Sequence, residues 1–275
     1  MAAEKRIAVL MTCYNRAGTT LECLKRLFAQ SMPEGHSLDV WLVDDASPDG
    51  TGEKVKAAYP QVNVIRGSGN LFWCKGMRLA WDSAAAAHDY DGYLWLNDDV
   101  MLVDGALEGL VADWKETGES AILVGAMDDG NGNTAYGIGG EGGKISPKGR
   151  PYAAKGAMSG NFVFVPRNVY RKIGPIYGGY SHGYGDYDYG WLADRHGIVR
   201  CLCSMTMGTC PQQLERYRQQ LKGVSLAQRL KTLFDRKGFS IKDNFVYKYR
   251  NFGMIAAVAS VFPVLGIRLV LARER

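Results

Sequence analysis

Two adjacent carboxylates, Asp98 and Asp99, follow an apolar run over residues 92–97 that is typical of a buried strand in a parallel sheet. Ligands of open α/β sheets bind just beyond the carboxyl ends of the strands. Two acids placed there repel each other and lose hydration, and a divalent cation such as Mg²⁺ relieves both costs. The pair therefore indicates either a metal site that holds a phosphorylated ligand or a solvated turn.

Polar residues also follow two earlier strand-like runs, 7–11 and 40–43. The first run is followed by Thr12, Cys13, Tyr14, Asn15 and Arg16. A tyrosine there can stack on a base, and Arg16 can pair with phosphate. The second run ends in Asp44 and Asp45, and a carboxylate at that place can accept a hydrogen bond from a base N–H or a ribose hydroxyl. Three such strand ends predict a nucleotide site on one edge of a sheet.

Strand-like and helical segments alternate along the chain. Strands are predicted over 7–11, 40–43, 62–65, 93–97 and 162–165, and helices over 19–30, 52–59, 77–87 and 168–173. Residues 128–149 are rich in Gly and Asn and predict a long irregular loop or hairpin. The alternation predicts a doubly wound, largely parallel sheet.

The composition fits one large domain, or one domain with an appendage, because the 275 residues are 47% hydrophobic and 22% charged. No apolar leader run follows the first residues, so we expect a cytosolic chain. The six cysteines are scattered without a Cys-x-x-Cys pair. They are interpreted as buried free thiols, with a thiolate metal site at Cys201, Cys203 and Cys210 as the alternative.

Charge is distributed unevenly along the chain. Residues 216–275 carry thirteen Lys/Arg and three Asp/Glu, a net +10, whereas residues 1–215 carry a net −5. This predicts an anionic membrane as partner of the tail, and not nucleic acid, for which no binding motif is present. Residues 252–272 are mostly apolar but contain Pro263 and Arg268. They fit a helix on an anionic membrane surface, a core or oligomer helix, or a membrane span.

Taken in order, these motifs resemble the GT-A glycosyltransferases of family 2. The matching pieces are residues 12–16, 43–51, 69–70, 96–99, 159–162 and 185–189. The resemblance implies an α/β fold of the GT-A (Rossmann-like) type, with a central, mostly parallel sheet flanked by helices over residues 1–215. A basic helical C-terminal appendage is expected over 216–275.

The resemblance also implies an activity. The expected enzyme is an inverting, Mg²⁺- or Mn²⁺-dependent glycosyltransferase that takes a sugar from a UDP- or dTDP-linked donor. A glycan or lipid-linked acceptor is expected, in capsule, O-antigen or cell-wall synthesis at the inner face of the cell membrane, with an oligomer possible. The alternatives are a sugar-phosphate nucleotidyltransferase and a non-enzymatic glycan-binding subunit of the same fold.

Roles for individual residues follow from the same resemblance. Asp186 is expected to be the catalytic base, and Asp99 the metal ligand. The expected nucleotide and donor contacts are Thr12, Tyr14, Asn15, Arg16, Asp45, Asn70, Lys75, Asn97 and Asp98. The expected acceptor contacts are His182, Tyr184 and Asp188.

Two positions and one stretch of the chain depart from the family pattern. Gly185 stands where a glutamate often precedes the catalytic aspartate, and Leu192 stands where an arginine is common. The stretch 201–210 contains no histidine that could serve as a further metal ligand. The metal is therefore expected to be held mainly by Asp99 and the diphosphate, with water completing its shell.

Overall fold

A ten-stranded mixed sheet forms the centre of the computed structural model, which describes residues 4–140, 143–210, 225 and 240–270. The strands are β1 (Lys5–Cys13), β2 (His36–Asp44), β3 (Asn63–Arg66), β4 (Gly92–Leu96), β5 (Met101–Leu102), β6 (Ile122–Asp128), β7 (Thr134–Tyr136), β8 (Ile138–Gly140), β9 (Gly143–Lys144), β10 (Tyr152–Ala153), β11 (Ala157–Met158), β12 (Phe162–Pro166) and β13 (Arg200–Thr209). The helices are α1 (Ala17–Phe28), α2 (Thr51–Ala58), α3 (Phe72–Ala87), α4 (Ala106–Glu116), α5 (Arg167–Ile173), α6 (Gly185–Arg195) and α7 (Ile241–Val270).

The main path of the sheet runs β10-β13-β6-β12-β4-β1-β2-β3. Strand β1 pairs in parallel with β2 and β4, and β2 pairs in parallel with β3. Strand β12 is inserted antiparallel between β4 and β6. The start of β12 therefore lies at the same edge as the carboxyl end of β4, which brings residues 159–162 to the predicted site edge.

Helices cover both faces of the sheet because β1 alternates its side chains between two buried layers. Ile7, Val9 and Met11 belong to a core that contains residues of α1, α2 and α4. Ala8 and Leu10 belong to a second core that contains residues of α3, α5 and α6. The predicted α/β sheet with flanking helices is confirmed, although residues beyond β4 introduce antiparallel pairs.

Helix α3 begins at Phe72, five residues before the predicted start at 77. Residues 72–76 therefore form the first turn and a half of this helix. The reason is tertiary: backbone N–H groups of Leu71 and Phe72 donate to the carboxylate of Asp45. The first amides of a helix lack intrahelical partners, and Asp45 supplies one from another strand.

Helix α7 begins eleven residues before the apolar segment noted in the sequence. The hydroxyl of Ser240 accepts a hydrogen bond from the N–H of Asp243, a capping arrangement. The backbone leaves helical geometry at Gly253, where φ is 85° and ψ is 177°. Among the helices of the described segments, none is both long and apolar enough to cross a membrane. The predicted boundary at 215/216 lies outside the described residues.

Candidate functional site

A cluster of acids and one arginine lies at the carboxyl edge of β1, β2 and β4. Nη1 of Arg16 lies 2.7 Å from Oδ1 of Asp98 and 3.0 Å from Oδ2 of Asp99. The hydroxyl of Thr20 donates to the other oxygen of Asp98 over 3.3 Å. Two expected donor contacts, Arg16 and Asp98, and the expected metal ligand, Asp99, are thus brought into direct contact.

The two acids differ in environment. Burial raises the pKa of Asp98 to about 6, against the opposing effect of Arg16, and Asp99 adds to the rise. Burial works to lower the pKa of Arg16, but the two carboxylates together raise it above its usual value. Oδ1 of Asp99 accepts from the thiol of Cys210 at 3.6 Å. Nothing in the sequence signalled Cys210 as a neighbour of this acid.

Asp45 lies at the end of β2 and is 5% exposed. Its Oδ1 accepts a hydrogen bond of 2.7 Å from the N–H of Gly69, and its Oδ2 accepts bonds of 2.8 and 3.1 Å from Leu71 and Phe72. The carboxylate therefore ties the segment between β3 and α3 to the strand edge. Its predicted contact with a nucleotide base stays a prediction, and the observed contacts add a positioning role.

Trp73 connects the acidic cluster with the predicted base. Its indole N–H donates to Oδ1 of Asn97 over 2.7 Å, and Asn97 directly precedes the acid pair. A Cβ built at Gly160 would lie 2.7 Å from the Trp73 ring and 3.3 Å from Cβ of Asp186, so only glycine fits between the two side chains. Trp73 is half-buried, and its side chain bridges the two parts of the site.

The carboxylate of Asp186 is oriented by two backbone donors. Oδ2 accepts from the N–H of Gly160 at 2.9 Å, and Oδ1 accepts from the N–H of Tyr187 at 2.9 Å. Asp186 lies in the first turn of α6, where the helix dipole favours a negative charge. Burial raises the pKa of Tyr187 to about 12, and Asp186 contributes to the rise.

The three predicted acceptor residues have different surroundings. His182 is exposed, and its carbonyl accepts from the thiol of Cys74. Tyr184 donates its hydroxyl to Asn244 over 3.1 Å and stacks on Tyr247, with ring centroids 4.8 Å apart. Asn244 and Tyr247 both belong to α7, so the Tyr184 side chain helps to hold the C-terminal helix.

Asp188 is also engaged by α7. It is 2% exposed and accepts hydrogen bonds from Arg250, at 3.2 Å from Nη2, and from Asn251 at 2.6 Å. Arg250 in turn lies 3.7 Å above the ring of Tyr177. These contacts support a bracing role between helices, and contact of Asp188 with an acceptor stays a prediction.

The remaining predicted donor contacts line the surface around the cluster. Tyr14 is 46% exposed, Asn70 is exposed and Lys75 is half-buried. Thr12 packs on the start of α3, since a Cβ at Gly76 would lie 2.2 Å from its hydroxyl. The backbone N–H of Asn15 donates to Ser47. Their roles toward a donor stay predictions.

Backbone strain is concentrated in these loops. Five non-glycine residues in the described ranges have positive φ, and four of them belong to the segments just described: Asn15, Ala46, Phe72 and Tyr184. Left-handed geometry in such residues costs on the order of 1 kcal/mol or more each and persists where surrounding contacts fix it. Its concentration here supports a functional role for this edge.

The donor set fits a divalent cation in part. One oxygen of Asp98 and one of Asp99 face the same point, which the Arg16 nitrogen takes, and carboxylate oxygens are ligands that Mg²⁺ and Mn²⁺ prefer. Within the described segments, no three His, Cys, Asp or Glu side chains are grouped to hold a metal by themselves. The expected metal shell of Asp99, diphosphate and water stays a prediction.

Comparison with known proteins places this geometry in a family. The model of the family described as glycosyl transferase family 2 matches residues 8–174, which is more than half of the chain. No curated protein matches the chain.

Solved structures of low identity share the fold. S. aureus TarS 1-349 in complex with UDP-GlcNAc has a TM-score of 0.59 at 13% identity, with 97% of this chain and 83% of that chain covered. A longer S. aureus TarS structure has a TM-score of 0.59 at 16% identity, and the match covers 98% of this chain and 52% of that one. The mannosyltransferase PcManGT from Pyrobaculum calidifontis, in complex with GDP-Man and Mn²⁺, has a TM-score of 0.52 at 14% identity, covering 100% and 82%.

Proposed function

Because the chain belongs to glycosyl transferase family 2 and is a glycosyltransferase, we propose that it is an inverting enzyme that uses a nucleotide-diphospho-sugar donor. The proposed acceptor is a glycan or lipid-linked glycan of polysaccharide synthesis. UDP- and dTDP-sugars are the proposed donor classes. The bound nucleotides of the structural neighbours, UDP, UDP-GlcNAc and GDP-Man, support a nucleotide-linked donor.

One observation carries the proposal: a single chain of contacts joins the acid motif to the proposed base. Asn97, beside the acid pair, accepts from Trp73, and the Trp73 ring packs at Gly160, whose N–H holds Asp186. The donor diphosphate is proposed to lie at the acids and the acceptor hydroxyl at Asp186, on opposite sides of the reacting carbon. That arrangement suits a direct displacement.

Asp186 is the proposed general base. The acceptor oxygen attacks the anomeric carbon, its proton passes to the carboxylate of Asp186, and the bond from that carbon to the diphosphate oxygen breaks. The nucleoside diphosphate leaves with the bonding electrons, and one displacement inverts the anomeric configuration. The N–H groups of Gly160 and Tyr187 donate to this carboxylate and orient it.

A divalent cation, Mg²⁺ or Mn²⁺, is proposed to be held at Asp99, with Asp98 beside it. When bound, it would act as a Lewis acid that neutralises charge on the departing diphosphate. The Mn²⁺ present in the mannosyltransferase neighbour supports this choice. Arg16 lies close enough to the acid pair to reach the same diphosphate, which supports its proposed phosphate contact.

The C-terminal helix supports a proposed location at the cytoplasmic face of a membrane. Beyond the break at Gly253, Ile255 is 88% exposed and Phe262 is 70% exposed. Met254 and Val258 lie nearby at helical spacing and are also exposed. The net charge of +10 over residues 216–275 complements anionic lipid. A lipid-linked acceptor would be presented at such a surface.

The test is sugar transfer from a panel of UDP-, dTDP- and GDP-sugars, with Mn²⁺, with Mg²⁺ and with EDTA. Asp186→Asn is expected to reduce kcat by about 10²–10⁴-fold, because the base is lost, while donor binding is retained. EDTA is expected to abolish transfer, and Mn²⁺ to restore it. The matched control is Glu116→Gln, which changes an exposed carboxylate on α4 to an amide.

Undiminished turnover of Asp186→Asn would refute the base assignment. Donor binding without turnover on any acceptor would favour a non-enzymatic glycan-binding subunit. Formation of a nucleotide-sugar from a sugar phosphate and a nucleoside triphosphate would favour the nucleotidyltransferase alternative. Retention of the anomeric configuration in the product would contradict the single displacement.

A further inference from the structure

The guanidinium of Arg16 occupies the point toward which both acids of the β4 end are directed. A single nitrogen, Nη1, contacts Oδ1 of Asp98 and Oδ2 of Asp99. The side chains of Asp98 and Asp99 are 7% and 14% exposed, whereas that of Arg16 is 36% exposed. The arginine thus covers the acid pair from the solvent side.

The backbone around Arg16 is fixed by the loop that follows β2. The N–H of Asn15 donates to the hydroxyl of Ser47, and the N–H of Ala17 donates to Asp49 over 3.0 Å. Arg16 lies between these two anchors, at the start of α1. Its reach toward the acids is therefore set by the fold, since the residues on either side cannot shift without breaking these bonds.

A divalent cation and the Arg16 guanidinium compete for the same two carboxylate oxygens. The positive charges of the guanidinium and the metal ion repel each other at a separation of a few ångströms. The facing oxygens of Asp98 and Asp99 therefore cannot bind both groups strongly at once. Displaced guanidinium needs another anion, and the nearest one the proposed reaction supplies is the donor diphosphate, which matches its forked donors.

We propose that Arg16 is a latch on the cation site: it holds the Asp98–Asp99 pair in the empty enzyme and transfers to the diphosphate when nucleotide and cation bind together. This inference rests on the proposed function. The latch makes the cation bind weakly to the empty enzyme and strongly in the presence of a nucleoside diphosphate. By linkage, the cation strengthens nucleotide binding by the same factor.

For Arg16→Gln, the latch predicts tighter Mn²⁺ binding and weaker UDP binding. Mn²⁺ binding to the empty enzyme is expected to become about tenfold tighter, because the acid pair loses its internal counterion. UDP binding at saturating Mn²⁺ is expected to weaken about tenfold, because the diphosphate of the ternary complex loses its cationic partner. A merely structural role would weaken both, and a simple phosphate contact would leave Mn²⁺ binding unchanged.

The experiment measures free Mn²⁺ by electron paramagnetic resonance during titration of the full chain, with and without UDP, and measures UDP binding by calorimetry. Arg26→Gln is the control, because Arg26 lies exposed on the same helix and pairs with Glu22. Arg16→Lys keeps the charge and is expected to keep Mn²⁺ binding of the empty enzyme weak. It tests the latch if Arg16→Gln does not fold.

Mn²⁺ binding that is unchanged or weaker in folded Arg16→Gln overturns the latch alone. Wild-type protein that binds UDP but no Mn²⁺ under any condition overturns both the latch and the proposed metal dependence, and leaves sugar transfer standing. Failure of sugar transfer with the Mn²⁺ and UDP linkage intact overturns the proposed reaction but not the latch.

Discussion

Asp45 illustrates how one carboxylate can serve both structure and recognition. An ionised carboxylate has about four acceptor positions, and three backbone N–H groups of residues 69–72 are bound to this one. The remaining capacity suits one donor of a base, which the family resemblance implies. Asp45 positions the loop of residues 69–72, so we expect binding of a nucleotide base to depend on this loop as well.

Asp45→Asn is expected to lower the free energy of unfolding by about 1–2 kcal/mol, because an amide offers one acceptor atom in place of two and leaves at least one of the loop N–H groups without its acceptor. UDP, dTDP and GDP should all bind more weakly, since the whole loop loses its anchor. Urea unfolding and calorimetry measure the two effects. The control is Asp82→Asn, an exposed acid on α3 that pairs with Arg78. Normal stability with a loss confined to one base would contradict the anchoring role.

Helix α6 is the element on which the proposed chemistry depends, and α7 holds it. Asp188, two residues after the proposed base, pairs with Arg250, and the indole N–H of Trp191 donates to the hydroxyl of Tyr247. The N–H of Ser181, in the segment before α6, donates to Asp243 of α7. The C-terminal helix is therefore part of the structural support of the site.

Arg250→Met is expected to destabilise the protein by about 3 kcal/mol, because the buried carboxylate of Asp188 loses its charged partner. Asp188→Asn in the same chain should recover part of the loss, which a double-mutant cycle measures as coupling of about 1–2 kcal/mol. Transfer activity should fall with Arg250→Met, since α6 loses a support next to Asp186.

The control for this cycle is Arg195→Met, which removes a hydrogen bond between the same two helices at an exposed position. Its effect should stay within about 0.5 kcal/mol. Additive effects of Arg250→Met and Asp188→Asn would show that the two side chains are not coupled, and would remove the argument that α7 braces α6.

At the scale of the whole molecule, charge and exposed apolar surface are concentrated in the C-terminal part. The remainder of the chain carries a net −5, so an anionic surface would repel it while attracting residues 216–275. Such a charge division would orient the molecule at an anionic surface. Because α7 packs on α6, a membrane bound at the second half of α7 would lie close to the acceptor side of the proposed site.

Vesicle co-sedimentation tests this orientation. Binding is expected with anionic vesicles, and it should weaken with neutral vesicles and with added salt. The double variant Ile255→Ser/Phe262→Ser should weaken binding at least about tenfold, because two exposed apolar side chains are lost. Val199→Ser is the control, since Val199 is 52% exposed outside α7. Unchanged vesicle binding with a loss of self-association would instead favour an oligomer interface.

The local properties of the sequence determined most elements up to β4, together with β12 and α5, and the positions of the acids. Strands β1, β2, β3, β4 and β12 and helices α1, α2 and α5 agree with the prediction to within about four residues at each end, because apolar periodicity and turn residues are local signals. The acids at the ends of β2 and β4 followed from strand position alone. The family resemblance added the order of the motifs.

Only the tertiary structure decided which groups meet. Strand β12 pairs antiparallel, Cys210 contacts Asp99, Arg16 binds both acids, and α7 packs on α6. Each of these contacts joins residues more than sixty positions apart, and no local pattern encodes such a pairing. The sequence placed carboxylates at a strand edge. Packing of distant segments determined that the Arg16 guanidinium binds them and that α7 supports the helix of the proposed base.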